Sequence, residues 1–113
     1  VSVVWRVRLG AEAEKDFAAI LRYTRDEFGR GQAKTYKQTL LDALGALSQG
    51  PDVTGSAARD EILPGLRTLH VARRGRRGRH FILYRAGPNQ TVDVIRILHD
   101  AMDLARHIPA HPG

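Results

Sequence analysis

The 113 residues contain no cysteine. That removes disulfides, thiolate nucleophiles and thiolate zinc sites together, and it suits a reducing compartment, here expected to be the cytoplasm. No window approaches the roughly 20 apolar residues of a transmembrane helix, so no membrane partner is expected. The N-terminal VSVVWRVRL is too short and too charged for a secretory apolar region, and a valine at position 1 leaves the natural start open. No repeat, low-complexity tract or linker interrupts the chain, so residues 1–113 are expected to form a single domain with a frayed tail over 105–113. The glycines between positions 73 and 79 are followed by no Lys-Ser/Thr pair, which speaks against a phosphate-binding loop. No serine or threonine occupies a nucleophile elbow, and no carboxylate pair suggests glycoside chemistry. His107 and His111 are four apart, but Pro109 between them prevents the regular helix a two-histidine metal site would need. Neither a metal nor a cofactor is therefore expected.

The remaining composition is that of an ordinary soluble globule, 42% hydrophobic and 27% charged. A chain this short buries only about two thirds of its unfolded surface. Its net charge of +6 is uneven, +1 over residues 1–56 and +5 over residues 57–113. A basic half of this kind suits nucleic acid, an acidic protein or a nucleic-acid enzyme as partner, and charge alone does not choose among them.

Hydrophobic periodicity orders the elements. Residues 2–9 alternate, with Val3, Trp5, Val7 and Leu9 on one face, as a half-buried strand does. From Ala11 the period becomes helical, with Ala13, Phe17, Ile20, Leu21, Thr24 and Phe28 on one stripe and Glu12, Glu14 and Asp16 in the early turns, where the helix dipole favours acids. Phe28-Gly29-Arg30-Gly31 breaks the helix. A second stripe, Ala33, Tyr36, Leu40, Leu44 and Leu47, runs from about position 32 to 49, and so short a turn makes the two helices an antiparallel hairpin. Residues 52–60 read as an irregular loop. Segments 66–72, 79–86 and 91–99 are rich in β-branched, aromatic and leucine residues and read as an antiparallel meander, joined in one sheet by the first strand. The expected fold is α+β, ordered β-α-α-β-β-β, with the helical hairpin packed on a mostly antiparallel four-stranded sheet. Val3, Trp5, Val7, Phe17, Ile20, Leu21, Leu40, Leu44, Leu83 and Val94 are expected in the core.

That order, with these residues, resembles the ParE branch of the RelE/ParE toxin superfamily of bacterial toxin–antitoxin systems. The resemblance is carried by Trp5-Arg6-Val7-Arg8-Leu9, then by Ala13, Asp16, Phe17, Ile20 and Tyr23. It continues through Phe28-Gly29, Ala33 and Tyr36 to Leu63-Pro64-Gly65-Leu66-Arg67, Ile82-Leu83-Tyr84-Arg85 and Val94-Ile95-Arg96-Ile97-Leu98-His99. Two departures stand out. Gly10 occupies the place of the usual serine N-cap, a difference of only a few tenths of a kcal/mol, and the loop 73–79 is longer and more basic than in the family. The resemblance implies a toxin held inactive by a ParD-like antitoxin, which poisons DNA gyrase when freed. It also implies a ribbon-helix-helix antitoxin through which alone the complex meets operator DNA. It further implies a role in plasmid stabilization and a toxin without catalysis of its own.

Messenger-cleaving relatives of RelE type share this fold, so a ribosome-dependent endoribonuclease is the alternative, with a degenerate toxin that only binds its antitoxin as the third. Cutting RNA needs a base, an acid and cations on the phosphate. In the cleaving relatives, the resemblance places an arginine three residues before the third-strand tyrosine; Phe81 stands there in this chain. His99 occupies the place of a terminal histidine, but Asp100 rather than a stacking aromatic follows it. No catalytic residue is therefore assigned. The candidates for target contact are Arg67, Arg76, Arg77, Arg79, Tyr84, Arg85, Arg96 and His99. Arg67 is weighed against a surface salt bridge to Asp60 or Glu61, and Tyr84 against a core tyrosine with its hydroxyl at the sheet rim. Arg96 interrupts an apolar strand and is expected to reach the open face of the sheet, with internal pairing as the alternative. The loop 73–79 is either a solvated hairpin tip or an electrostatic contact surface.

Overall fold

The computed structural model describes residues 4–108. Strand β1 (Arg6–Leu9) leads into α1 (Ala11–Phe28) and α2 (Arg30–Ala46), the latter running on through a 3-10 turn at Leu47–Gln49. Strands β2 (Ser56–Ala58), β3 (Arg67–His70), β4 (His80–Gly87) and β5 (Thr91–His99) follow, with a second 3-10 turn at Leu104–His107. The five strands form one sheet in the order β1-β5-β4-β3-β2. All neighbouring pairs are antiparallel except β1 with β5, whose parallel register sets Val7 opposite Val92. No helix among the described residues is long and apolar enough to cross a membrane.

The hairpin of helices turns on one residue. Gly29 has φ 94° and ψ 168°, a region open essentially to glycine, and its amide still caps the carbonyl of Arg25. The second helix thus begins two residues earlier than its apolar stripe indicates.

The sheet has five strands rather than the expected four. Residues 56–58, within the segment read as irregular, pair with β3 so that Ser56 lies opposite Leu69 and Ala58 opposite Arg67. Their Ser-Ala-Ala sequence has no apolar alternation to announce a strand; the open edge of β3 recruits it.

Two apolar layers flank the sheet. On the helix side Ala13, Leu40, Ala43, Leu44 and Leu47 close over Leu69, Val71, Ile82, Tyr84, Val92, Val94 and Ile97. On the other side Leu66, Leu83 and Leu98 are covered by Leu104 and Ile108. The chain therefore folds back to Ile108, four residues into the segment expected to fray. Of the expected core, Leu40, Leu44, Leu83 and Val94 are buried, whereas Trp5, Val7, Phe17, Ile20 and Leu21 are only half-buried. Strand β1 is a sheet edge and α1 is covered on one flank only, so their stripes pack on the core while one side stays open. Val3 lies outside the described residues.

Candidate functional site

The eight candidate residues do not form one constellation. Arg67 and Tyr84, opposite each other across β3 and β4, both serve the carbonyl of Pro51. The Tyr84 hydroxyl donates to it at 2.6 Å and Arg67 Nε at 2.7 Å, while Arg67 Nη2 reaches Ser56 Oγ at 2.8 Å. Tyr84 is wholly buried. The pair fastens the 50–56 turn and β2 to the sheet, and Arg67 bridges neither Asp60 nor Glu61.

Arg96 corrects its expectation. It does not reach the open sheet face; its guanidinium forks onto Asp16 of α1, at 2.7 and 3.0 Å, and donates to the His107 carbonyl at 3.2 Å. Asp16 also accepts the Ile97 amide at 2.9 Å, capping the edge of β5 beyond the end of β1. Both side chains are about four-fifths covered, at 22% and 15% exposure, and the carboxylate raises the Arg96 pKa still further. A cation in an apolar strand is thus matched by an acid from the first helix.

The end of the sheet where β3 and β5 finish and β4 begins gathers the most chemistry. His80 and His99 are register partners with ring centroids 5.3 Å apart, and His70 meets the edge of Phe81 at 4.8 Å. From α2 the Tyr36 hydroxyl takes the Arg79 amide at 3.0 Å and shares a hydrogen bond of 2.6 Å with His80 Nδ1. Gly78 permits this approach, since a Cβ there would lie 3.1 Å from the Tyr36 oxygen and closer still to Val71. His70 Nδ1 accepts the Ala72 amide, leaving Nε2 to donate to Asp100 at 2.9 Å. Arg79 donates to both carboxylate oxygens of Asp100, at 3.0 and 3.1 Å. His99 Nδ1 accepts the Ala101 amide, and its ring is partly open to water.

Burial, with help from neighbouring His99, pushes His80 down to about 4, so it is neutral at pH 7. Hydrogen bonds from Arg79 and then His70 hold Asp100 down to about 2, a permanent anion and a poor base. Burial raises Tyr36. Proton transfer near neutrality calls for an acid and a base poised near 7; His80 and Asp100 are pulled away from that range, and His70 is bound to Asp100. No group of three or more histidine, aspartate or glutamate side chains among the described residues is placed to hold a metal ion.

The remaining cations lie on the loop 73–79 and on β4. Arg76 pairs with Asp42 of α2, Arg73 donates to the Thr54 carbonyl at 3.1 Å, and Arg77 and Arg85 are exposed. Sequence reasoning missed Tyr36, His70, His80 and Asp100 as a group. The available signal was positional: the three histidines each stand at a strand end, and pairing the hairpin strands aligns those ends.

A helical hairpin on a mixed sheet with a parallel first strand is the architecture of the RelE/ParE toxins. The solved chromosomal ParDE TA system from P. aeruginosa contains a chain that superposes with a TM-score of 0.67, covering 87% of this chain and 98% of that one at 22% identity. A chain of the toxin-antitoxin complex RelBE2 from Mycobacterium tuberculosis follows at 0.55, covering 86% and 99% at 24% identity. Sequence narrows the class further. Residues 7–104 match the family described as "ParE toxin of type II toxin-antitoxin system, parDE", and the chain belongs to that family. It is 33% identical over 103 residues to Toxin ParE1 of Mycobacterium tuberculosis, spanning 91% of this chain and 97% of the relative. Toxin ParE of Escherichia coli is 32% identical over 96 residues, 85% of each.

Proposed function

We propose that this ParE-type toxin acts by binding rather than by cutting, that its target is DNA gyrase, and that a ParD-like antitoxin neutralises it. The observation that carries the non-catalytic part is the geometry of the sheet-end cluster: His80 is hydrogen-bonded to Tyr36, and Asp100 to both His70 and Arg79, so each is committed to a partner inside the fold. Family membership supports the target and the antitoxin. The antitoxin's seat in this reading is the half-covered stripe of α1, where Phe17, Ile20 and Leu21 adjoin the exposed Tyr23 and Phe28, since an amphipathic helix needs such a row of apolar anchors. Operator DNA is met only through the antitoxin, in the cytoplasm.

The test sets purified toxin against gyrase supercoiling and, in parallel, against translation of a defined mRNA. Loss of supercoiling with intact mRNA, reversed by the antitoxin, is the expected result. One observation favours a second reading, ribosome-dependent mRNA cleavage: His99 keeps an open imidazole beside two further histidines at the sheet end. Cleaved mRNA with unimpaired gyrase would establish that reading instead.

A further inference from the structure

Between the C-terminal half of α2 and the turn at 73–76 lies an open recess of about 290 Å³ lined by Asp42, Gly45, Ala46, Gln49, Arg73, Arg74 and Arg76. The turn itself is unusual. The Arg76 amide donates to the Arg73 carbonyl at 3.0 Å, and both central residues, Arg74 (φ 53°) and Gly75 (φ 82°), have positive φ. That sign pattern belongs to the type I′ turn, whose first central position is ordinarily Asn, Asp or Gly because a larger L-residue is strained there. An arginine at that position costs stability, and among the described residues no hydrogen bond or ion pair of its side chain repays it. What the position gives Arg74 is a place in the wall of the recess. We propose that the recess is a seat for the carboxylate of an acidic segment of a protein partner, received by Arg74 together with Arg73.

The recess already shows this chemistry on itself, for Arg76 in its wall is paired with the carboxylate of Asp42. After that pairing two guanidinium groups remain, Arg73 with one nitrogen on the Thr54 carbonyl and Arg74 wholly free. Planar guanidinium forks match carboxylates in two-point hydrogen bonds. Gly45 and Ala46 form a small apolar floor for the methylenes of a glutamate. A nucleic-acid backbone fits less well, since a concavity this small admits one phosphate rather than a track of them, and the negative charge of Asp42 is already matched by Arg76. The assignment holds whether or not gyrase is the target, because it concerns a surface apart from the sheet-end cluster.

The test uses the full chain and two labelled probes, a peptide of alternating glutamate and glycine and a DNA duplex of equal charge, at physiological salt. Arg74→Asn keeps a left-handed turn residue at lower strain and removes the guanidinium; Arg22→Asn on α1 is the charge-matched control. Losing a charge-assisted pair corresponds to roughly a tenfold loss of affinity. Expected are that loss for the peptide in R74N, less than about twofold in R22N, and a higher thermal midpoint for R74N as the strain is relieved. Peptide-induced amide shifts should centre on residues 42–49 and 73–76. Equal losses in the two variants, shifts centred elsewhere, or tighter binding of the duplex at this site would each overturn the proposal. The raised midpoint shows that R74N remains folded, so a loss of binding cannot come from unfolding.

Discussion

A guanidinium in an apolar strand needs a counter-charge, and Arg96 takes its own from Asp16, eighty positions earlier. Removing one member of a largely covered pair leaves the other uncompensated, so Arg96→Ala should cost about 2–3 kcal/mol, below the range for fully buried pairs because water still reaches this one. Urea unfolding measures the cost. On the proposed reading, gyrase inhibition per folded molecule should stay near wild type; a loss of inhibition with an unchanged unfolding midpoint would restore Arg96 as a contact residue. His80 governs a pH effect. Its folded pKa, about 4, lies below the ordinary histidine value of 6.5, so the unfolded chain binds the extra proton between these limits. The stability from neutral His80 is complete above about pH 6.5 and is lost as pH falls toward 4. Asp100, held at about 2 against an ordinary 3.8, loses its contribution in the separate window below. His80→Asn should flatten the midpoint-against-pH curve between 6.5 and 4.5 and leave the steeper acid limb in place. An unchanged slope in H80N would assign that pH dependence to other groups.

The helical hairpin depends on one backbone conformation, that of Gly29. A Cβ at this glycine would touch nothing within 4 Å, so Gly29→Ala isolates the cost of φ 94° for an L-residue, about 1–3 kcal/mol. Thermal unfolding of G29A reads it, and a midpoint within a degree of wild type would mean that the joint relaxes freely. At this scale the sequence was most legible. Alternation and the 3.6-residue period located both helices and the strands of the meander, and β5 runs over the residues its pattern marked. Strand β2 was not legible, because Ser56–Ala58 pairs through backbone groups that every residue carries. The half-covered stripe of α1 was not legible either: periodicity identifies an apolar face without telling how much of it the rest of the chain covers. The site was read less well than the fold for a related reason. Arg67, Tyr84 and Arg96 were visible as unusual residues, but whether a cation turns inward depends on partners such as Pro51 and Asp16, which only the assembled sheet brings near.

Over the whole molecule the surplus of positive charge in residues 57–113 is partly spent inside the fold. Arg59 is matched by Glu61, Arg76 by Asp42, Arg79 by Asp100 and Arg96 by Asp16. Among the described residues no hydrogen bond or ion pair engages the side chain of Arg77 or Arg85, so these two project their full charge into solvent. Steering of a charged partner follows the summed field rather than any single contact, and it is screened over about 8 Å at physiological salt. On the proposed gyrase reading, the double variant Arg77→Ala, Arg85→Ala should therefore slow association with gyrase about three- to tenfold at 50 mM salt and much less at 500 mM, with little change in dissociation. His99→Ala should alter inhibition less than about threefold, because a poison that acts by binding transfers no proton at that imidazole. An RNA-cleaving toxin inverts the order: loss of a general acid or base costs about a hundredfold or more, while loss of a distant surface charge costs little. Measuring association by stopped flow and mRNA integrity in the same preparations separates the two. Abolished mRNA cleavage in H99A, with the double variant fully active, would overturn the proposed binding mechanism in favour of ribonuclease action.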